Sequence, residues 1–266
     1  MRHGRGASLT ITVATAALLV TVFGTQAAML YLLQCGIIGL LLPELLARGF
    51  GSARAIAWTT AANLVVILAA VLAFALISGK NVHLLAVGEI KSSFTQALDF
   101  YVKSGVKGDD LAALKQFMDT AADLMVRIYP ALMTVVLITV SGCSLSLARR
   151  FVIRPDSGLD LGEFKRFKNP EWMVWLLIAA GFSMLADQPI VTTPALNLLV
   201  VLAVLYFLQG LAVVSAIIAR LSYAGMLRLG LYLILIFQPY VSALLVAVGI
   251  FDLWGDFRTP RKQENL

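Results

Sequence analysis

The main amides in long uncharged stretches of this chain are Gln34, Asn63, Gln209 and Gln238, with Thr59, Thr60, Thr134 and Asn197 in similar surroundings. An amide among apolar side chains has to find a partner, because leaving it unpaired costs roughly 2–7 kcal/mol. Two uses meet that demand. One is hydrogen bonding between helices, the commoner use in membranes. The other is a polar pocket for a small neutral solute, for which Gln34, Asn63 and Gln209 are the candidate ligand-binding residues.

Covalent and acid–base chemistry has no comparable footing. The sequence holds no Ser/His/Asp order, no HExxH, no phosphate-binding glycine loop and no GxGxxG after a strand. Its two histidines, His3 and His83, fall outside the apolar runs. Cys35 and Cys143 each stand alone inside such a run, where a small buried residue is a better reading than a disulfide or metal ligand. No acid or base lies deep within a run, whereas proton-coupled pumps and intramembrane proteases usually keep ionisable groups at depth. The expectation is a protein that is not an enzyme, with no catalytic residue, no cofactor and no metal.

The segments that carry these amides define the class. Of 266 residues, 60% are hydrophobic and 14% charged, against about 45–50% and about 25% in soluble domains. The apolar residues are concentrated. Uncharged runs separate Arg5 from Glu44, Arg54 from Lys80, Arg127 from Arg149, Asp187 from Arg220 and Arg228 from Asp252, with 38, 25, 21, 32 and 23 residues respectively. A bilayer selects for such runs. They predict an all-α, polytopic transmembrane helix bundle with about seven membrane segments, at 9–24, 26–43, 56–78, 128–148, 172–187, 195–219 and 229–251. The whole chain, 1–266, reads as a single integral membrane domain with a polar tail at 252–266. Residues 1–27 also weakly resemble a cleaved signal peptide, and that alternative stays open.

The net charge of +6 does not signal nucleic acid, because the bases sit in short segments between apolar runs. With the N-terminus in the cytoplasm, residues 1–8, 44–55, 149–171 and 220–228 hold 12 Lys and Arg, and the other side holds 6 in 79–127 plus 3 in the tail. The expected location is therefore the cytoplasmic (inner) membrane, multi-pass, with the N-terminus inside. The tail bases fit this count poorly. Gln238-Pro239 breaks the last run, so a re-entrant final segment with a cytoplasmic tail is an open alternative.

Residues 79–127 carry helical periodicity without span-like hydrophobicity. Ile90, Phe94, Ala97, Leu98 and Tyr101 share one face of a helix over 86–104; Leu111, Leu114, Phe117, Ala121, Leu124 and Ile128 share one over 110–128. Residues 105–108 make the turn, and Asp109 or Asp110 is placed to cap the second helix. This predicts an extracytoplasmic amphipathic hairpin lying on the membrane or the bundle mouth, or one packed on itself.

Two charged segments remain. The loop FKRFKNPEW at 164–172 sets Lys165, Arg166 and Lys168 among aromatics, with Arg149 and Arg150 upstream. Attraction to anionic headgroups, about 1 kcal/mol per base, accounts for it; a cytoplasmic protein partner docking on 149–171 is the other reading. At 249–258, GIFDLWGDFR crowds Asp252, Asp256 and Arg258 at the end of an apolar helix, where a local ion pair or helix cap is expected.

That C-terminal segment resembles the YybS-like family of uncharacterised bacterial membrane proteins, which ends on G-[ILF]-[FI]-D-x-[WG]-x-D-[FL]-R. Gly249, Ile250, Phe251, Asp252, Trp254, Asp256, Phe257 and Arg258 match it. Residues 207–211 (FLQGL) resemble the family's FxQGL motif, and 164–175 resembles its basic, proline-containing approach to a span. The N-terminus is shorter than is typical of members, which puts a first span in question. The resemblance implies architecture more than activity. The family's helical layout is similar to that of the substrate-binding components of energy-coupling-factor transporters, a likeness of fold alone. Two functions are left in view: a small-solute-binding subunit of a transport system, and a non-catalytic membrane scaffold for an envelope or cell-surface process.

Overall fold

A computed structural model describes residues 4–151, 162–221, 224–255 and 257–258. Among these residues the secondary structure is entirely helical. The helices are α1 (Gly4–Phe23), α2 (Thr25–Tyr31), α3 (Ile37–Ala47), α4 (Ser52–Ser78), α5 (Val82–Lys103), α6 (Asp109–Phe151), α7 (Met173–Ser183), α8 (Pro189–Ile218), α9 (Ala224–Phe237) and α10 (Pro239–Gly255). A π-turn, Leu32–Gly36, joins α2 to α3, so that Thr25–Ala47 forms one apolar segment.

Among the described residues, four helices are long and apolar enough to cross a membrane: Thr25–Ala47, α4, α6 and α8. A fifth crossing would exist if α9 and α10, bent by 117° at their junction, formed one span. Ser8–Phe23 and α7 are apolar but shorter. The apolar segments thus fall where the sequence puts them, whereas the count of seven crossings is not established.

The chain divides into two compact units, Met1–Leu159 and Asp160–Leu266. In the first, α1 packs on Thr25–Ala47, which packs on α4, and α4 packs on α6. Ser8 Oγ donates to the Gly39 carbonyl at 2.8 Å, and Thr12 lies beside Gly36 and Gly39, so small residues let α1 and α3 approach closely. Gly79 ends α4 in the left-handed region (φ 64°), where glycine avoids a Cβ clash. Asn81 then caps α5, its Oδ1 accepting from the Leu84 N–H.

The hairpin forms, but its second arm has no end at 128. Residues 110–128 and the span 128–148 are one helix of 43 residues, about 65 Å long at 1.5 Å per residue. The charges that make 109–127 unlike a span do not interrupt a helix, and Pro130 lies within it. Asp109 and Asp110 occupy its first turn, where carboxylates favour the positive end of the helix dipole. α5 runs antiparallel to this arm, from Lys91–Asp123 at 3.2 Å to His83 Nδ1–Tyr129 Oη at 2.9 Å. Ile90, Phe94, Ala97 and Leu98 are half-buried as the periodicity predicts. Tyr101, Phe117 and Leu124, assigned to apolar faces, are instead exposed; Met118 and Ala122 take the inward positions on α6.

In the second unit α8 is central. α7 and α10 pack against it, and α9 makes a smaller contact with both α8 and α10.

Candidate functional site

Each unit buries one polar constellation. In the first unit, Asn63 is wholly buried on the α4 face formed by Ala55, Thr59, Asn63 and Ile67. Its Nδ2 donates to the main-chain carbonyl of Gln34 at 3.1 Å. The π-turn explains the partner: widening the helix by one residue disturbs the i to i−4 ladder and leaves a carbonyl to be met by a side chain. Gln34 thus contributes its backbone to this contact. Thr59 Oγ1, Thr60 Oγ1 and Asn63 Oδ1 have no partner among the described residues.

In the second unit a chain of hydrogen bonds joins three distant segments. Gln209 on α8 is wholly buried and both ends of its amide are engaged. Oε1 accepts from the Asn169 backbone N–H at 2.9 Å, and Nε2 donates to Asp252 Oδ2 at 3.1 Å. Asn169 Nδ2 donates to the Leu205 carbonyl at 2.9 Å. Arg258 Nη2 pairs with Asp252 Oδ2 at 2.8 Å, and its Nη1 donates to the Lys165 carbonyl at 3.0 Å. Asp252 is 3% exposed. Burying a carboxylate is costly unless it is paired and hydrogen-bonded, and Arg258 and Gln209 supply both. The ion pair suggested by the C-terminal pattern therefore forms between Asp252 and Arg258.

Backbone geometry makes the closeness achievable. Gly210 and Gly249 face each other where α8 meets α10; a Cβ on Gly210 would strike the Leu245 carbonyl, and one on Gly249 the Tyr206 carbonyl. Pro170 restricts Asn169 to extended conformations, which turns this residue out of the loop towards α8.

The three amides singled out by the sequence are divided. Gln34 and Asn63 meet in the first unit, and Gln209 belongs to the second. Gln238 is exposed at the junction of α9 and α10. Arg149 and Arg150 end α6, exposed, with Arg150 5.7 Å from the Phe151 ring centre. Lys165 and Arg166 form a 3-10 turn with Phe164, and Lys168 pairs with Glu171 at 3.3 Å. Trp254 is 68% exposed, and Asp256 lies outside the described residues. Asn169 is not among the residues the sequence singles out; the signal that points to it is an Asn-Pro pair just before an apolar helix.

Long apolar helices with polar contacts sealed between them define a polytopic α-helical membrane protein. The chain belongs to the DUF2232 family, described as "Predicted membrane protein", whose model matches residues 1–253. The match takes in Asn169, Gln209 and Asp252 and stops short of Trp254, Asp256 and Arg258. No curated protein and no solved structure matches the chain, so the likeness to energy-coupling-factor components has no structural match behind it.

Proposed function

We propose that the protein is a non-catalytic scaffold of the cytoplasmic membrane, with its N-terminus inside. On this reading α5 and the N-terminal arm of α6 present a surface outside, and the 149–171 loop receives a protein partner inside. One observation carries the reading: the Gln209 amide is sealed from solvent and engaged at both ends by Asn169 and Asp252. An amide held in this way braces helices, and at zero exposure its remaining donor and acceptor capacity is out of a solute's reach. Asn63, bonded to the Gln34 carbonyl at zero exposure, serves in the same sense. The hairpin meanwhile exposes Phe100 and Phe117, large apolar side chains available to lipid or protein.

A second reading, the solute-binding subunit, draws on the unpartnered oxygens of Thr59, Thr60 and Asn63. They lie on α4, whose Asn63 meets the π-turn, and π-turns recur at functional sites. Affinity purification from the native membrane, with mass spectrometry of bound proteins and small molecules, separates the two. Envelope-assembly proteins without solute or ATPase are expected. A retained metabolite or a co-purifying ATPase, lost on Asn63→Leu, would overturn the scaffold.

A further inference from the structure

The bent pair α9–α10 is bracketed by two fixed points, Ile218 at the end of α8 and the Asp252–Arg258 pair. We propose that the pair begins and ends on the same membrane face, so that the C-terminal tail shares a face with the 149–171 loop and α9–α10 makes no crossing. This goes beyond the scaffold reading and does not rest on it.

The first bracket follows from α7 and α8. α7 leaves the loop and α8 returns towards it. Asn169, at the loop end, bonds the Leu205 carbonyl and Gln209, which places the loop level with a point just past the middle of α8. Ile218 is nine residues further on, about 13 Å, on the side away from Pro189. α9 therefore starts on the loop side. The second bracket is the tail: Asp252 reaches Gln209, and Arg258 reaches both Asp252 and the Lys165 carbonyl in the loop itself. A crossing would separate the two ends by the hydrocarbon thickness, about 30 Å, and these hydrogen bonds could not form.

The helix lengths agree. α9 has 14 residues, about 21 Å, and α10 has 17, about 26 Å, with the 117° bend between them. The bend is locally satisfied. Gln238 N–H donates to the Ile234 carbonyl at 2.8 Å and Val241 N–H to the Gln238 carbonyl at 3.0 Å, while Pro239 has no N–H to leave open at the first position of α10.

Two independent tallies move the same way. Placing the tail with the loop changes the distribution of Lys and Arg from 12 against 9 to 15 against 6, the asymmetry expected of cytoplasmic segments. It also puts the three tryptophans of the second unit near one face: Trp172 and Trp175 open α7, Trp254 closes α10, and each is at least 60% exposed. Exposed tryptophans at helix ends mark a membrane–water interface.

The test uses the full chain carrying Cys35→Ala and Cys143→Ala, with single cysteines at Glu163→Cys, Asp187→Cys or Gln263→Cys. Each is treated with a membrane-impermeant maleimide in intact cells and in inverted vesicles. Glu163→Cys and Gln263→Cys are expected to react in the same preparation, and Asp187→Cys in the other. Reaction of Gln263→Cys together with Asp187→Cys would overturn the proposal. If a variant fails to accumulate, trypsin on the otherwise unaltered chain with a C-terminal epitope gives the same answer. Loss of the epitope in the preparation that cuts the 149–171 loop supports a shared face, and loss only in the opposite preparation overturns it.

Discussion

Gly210 on α8 and Gly249 on α10 meet backbone to backbone, with no room for a Cβ on either. The hydrogen bond from Gln209 to Asp252 depends on that approach, since both residues are buried where the helices touch. Gly249→Ala must push main chain apart, because the obstructing atoms belong to Tyr206 and Gly210 backbone. Overpacking typically costs about 1–3 kcal/mol, more when backbone has to move. A clear fall in the thermal midpoint in detergent is expected for Gly249→Ala. Gly181→Ala, with open space around its Cβ, should leave the midpoint close to that of the parent.

Removing one partner of the buried pair is the second prediction. Arg258→Met leaves Asp252 buried with Gln209 alone, and uncompensated buried charge costs on the order of 3–5 kcal/mol. Asp252→Asn in the same chain should recover much of the loss, giving a favourable coupling in a double-mutant cycle. Additive losses in that cycle would show that the 2.8 Å contact has little energetic weight.

The π-turn supplies a third. Asn63→Leu removes the donor to the Gln34 carbonyl and should destabilise the first unit by about 1–3 kcal/mol, the usual penalty for a buried group left without its partner. Thr59→Val, which deletes a buried hydroxyl that has no partner among the described residues, should be neutral or mildly stabilising. Hydrogen exchange on α2 to α4 reads both. Equal effects from the two substitutions would count against the assigned bond.

The sequence revealed the helices more readily than the contacts between them. Runs without charge located the apolar segments because charge in hydrocarbon is expensive, and Gly24, Gly79 and Gly105 lie between neighbouring helices as glycine's freedom allows. The end of the hairpin was illegible for the opposite reason. Asp119, Asp123 and Arg127 lie outside the uncharged run, and a helix can pass through them unbroken. Gln209 was visible as an amide needing a partner, but the partners lie 40 and 43 residues away in sequence and nothing local encodes the choice. The three segments that carry the family resemblance are far apart in sequence, and the structure joins them through Asn169, Gln209, Asp252 and Arg258.

Which side chains of the hairpin face inwards can be read with spin labels. Labels at 94 and 98 should be much less accessible to aqueous relaxants than labels at 96 and 103, because Phe94 and Leu98 are half-buried against α6 while Gln96 and Lys103 are exposed. A label at 101 should behave like one at 103, since Tyr101 is 43% exposed. Strong protection at 101 would restore the broader apolar face read from periodicity and require a twist of α5 relative to α6.

The continuity of α6 is the last prediction and the one most specific to this fold. Lys115 and Ser146 are both exposed and stand on the two sides of the boundary at 128. In an unbroken helix, 31 steps of 1.5 Å set them about 46 Å apart. A hairpin arm lying on the membrane surface and joined by a bend to a separate span would bring them closer, to roughly 33 Å for a right-angle turn midway between them. Pulsed dipolar spectroscopy on the Lys115→Cys/Ser146→Cys chain, in the background without Cys35 and Cys143, distinguishes the two. A single narrow distribution near the longer distance is expected, because Thr134 Oγ1 bonds the Pro130 carbonyl and the helix continues through Pro130 without a break. Such an arm reaches beyond a bilayer core of about 30 Å, so α5 and the exposed Phe117 would stand clear of the hydrocarbon. A distribution centred at the shorter distance would lay the hairpin on the membrane instead and make those aromatic residues lipid anchors.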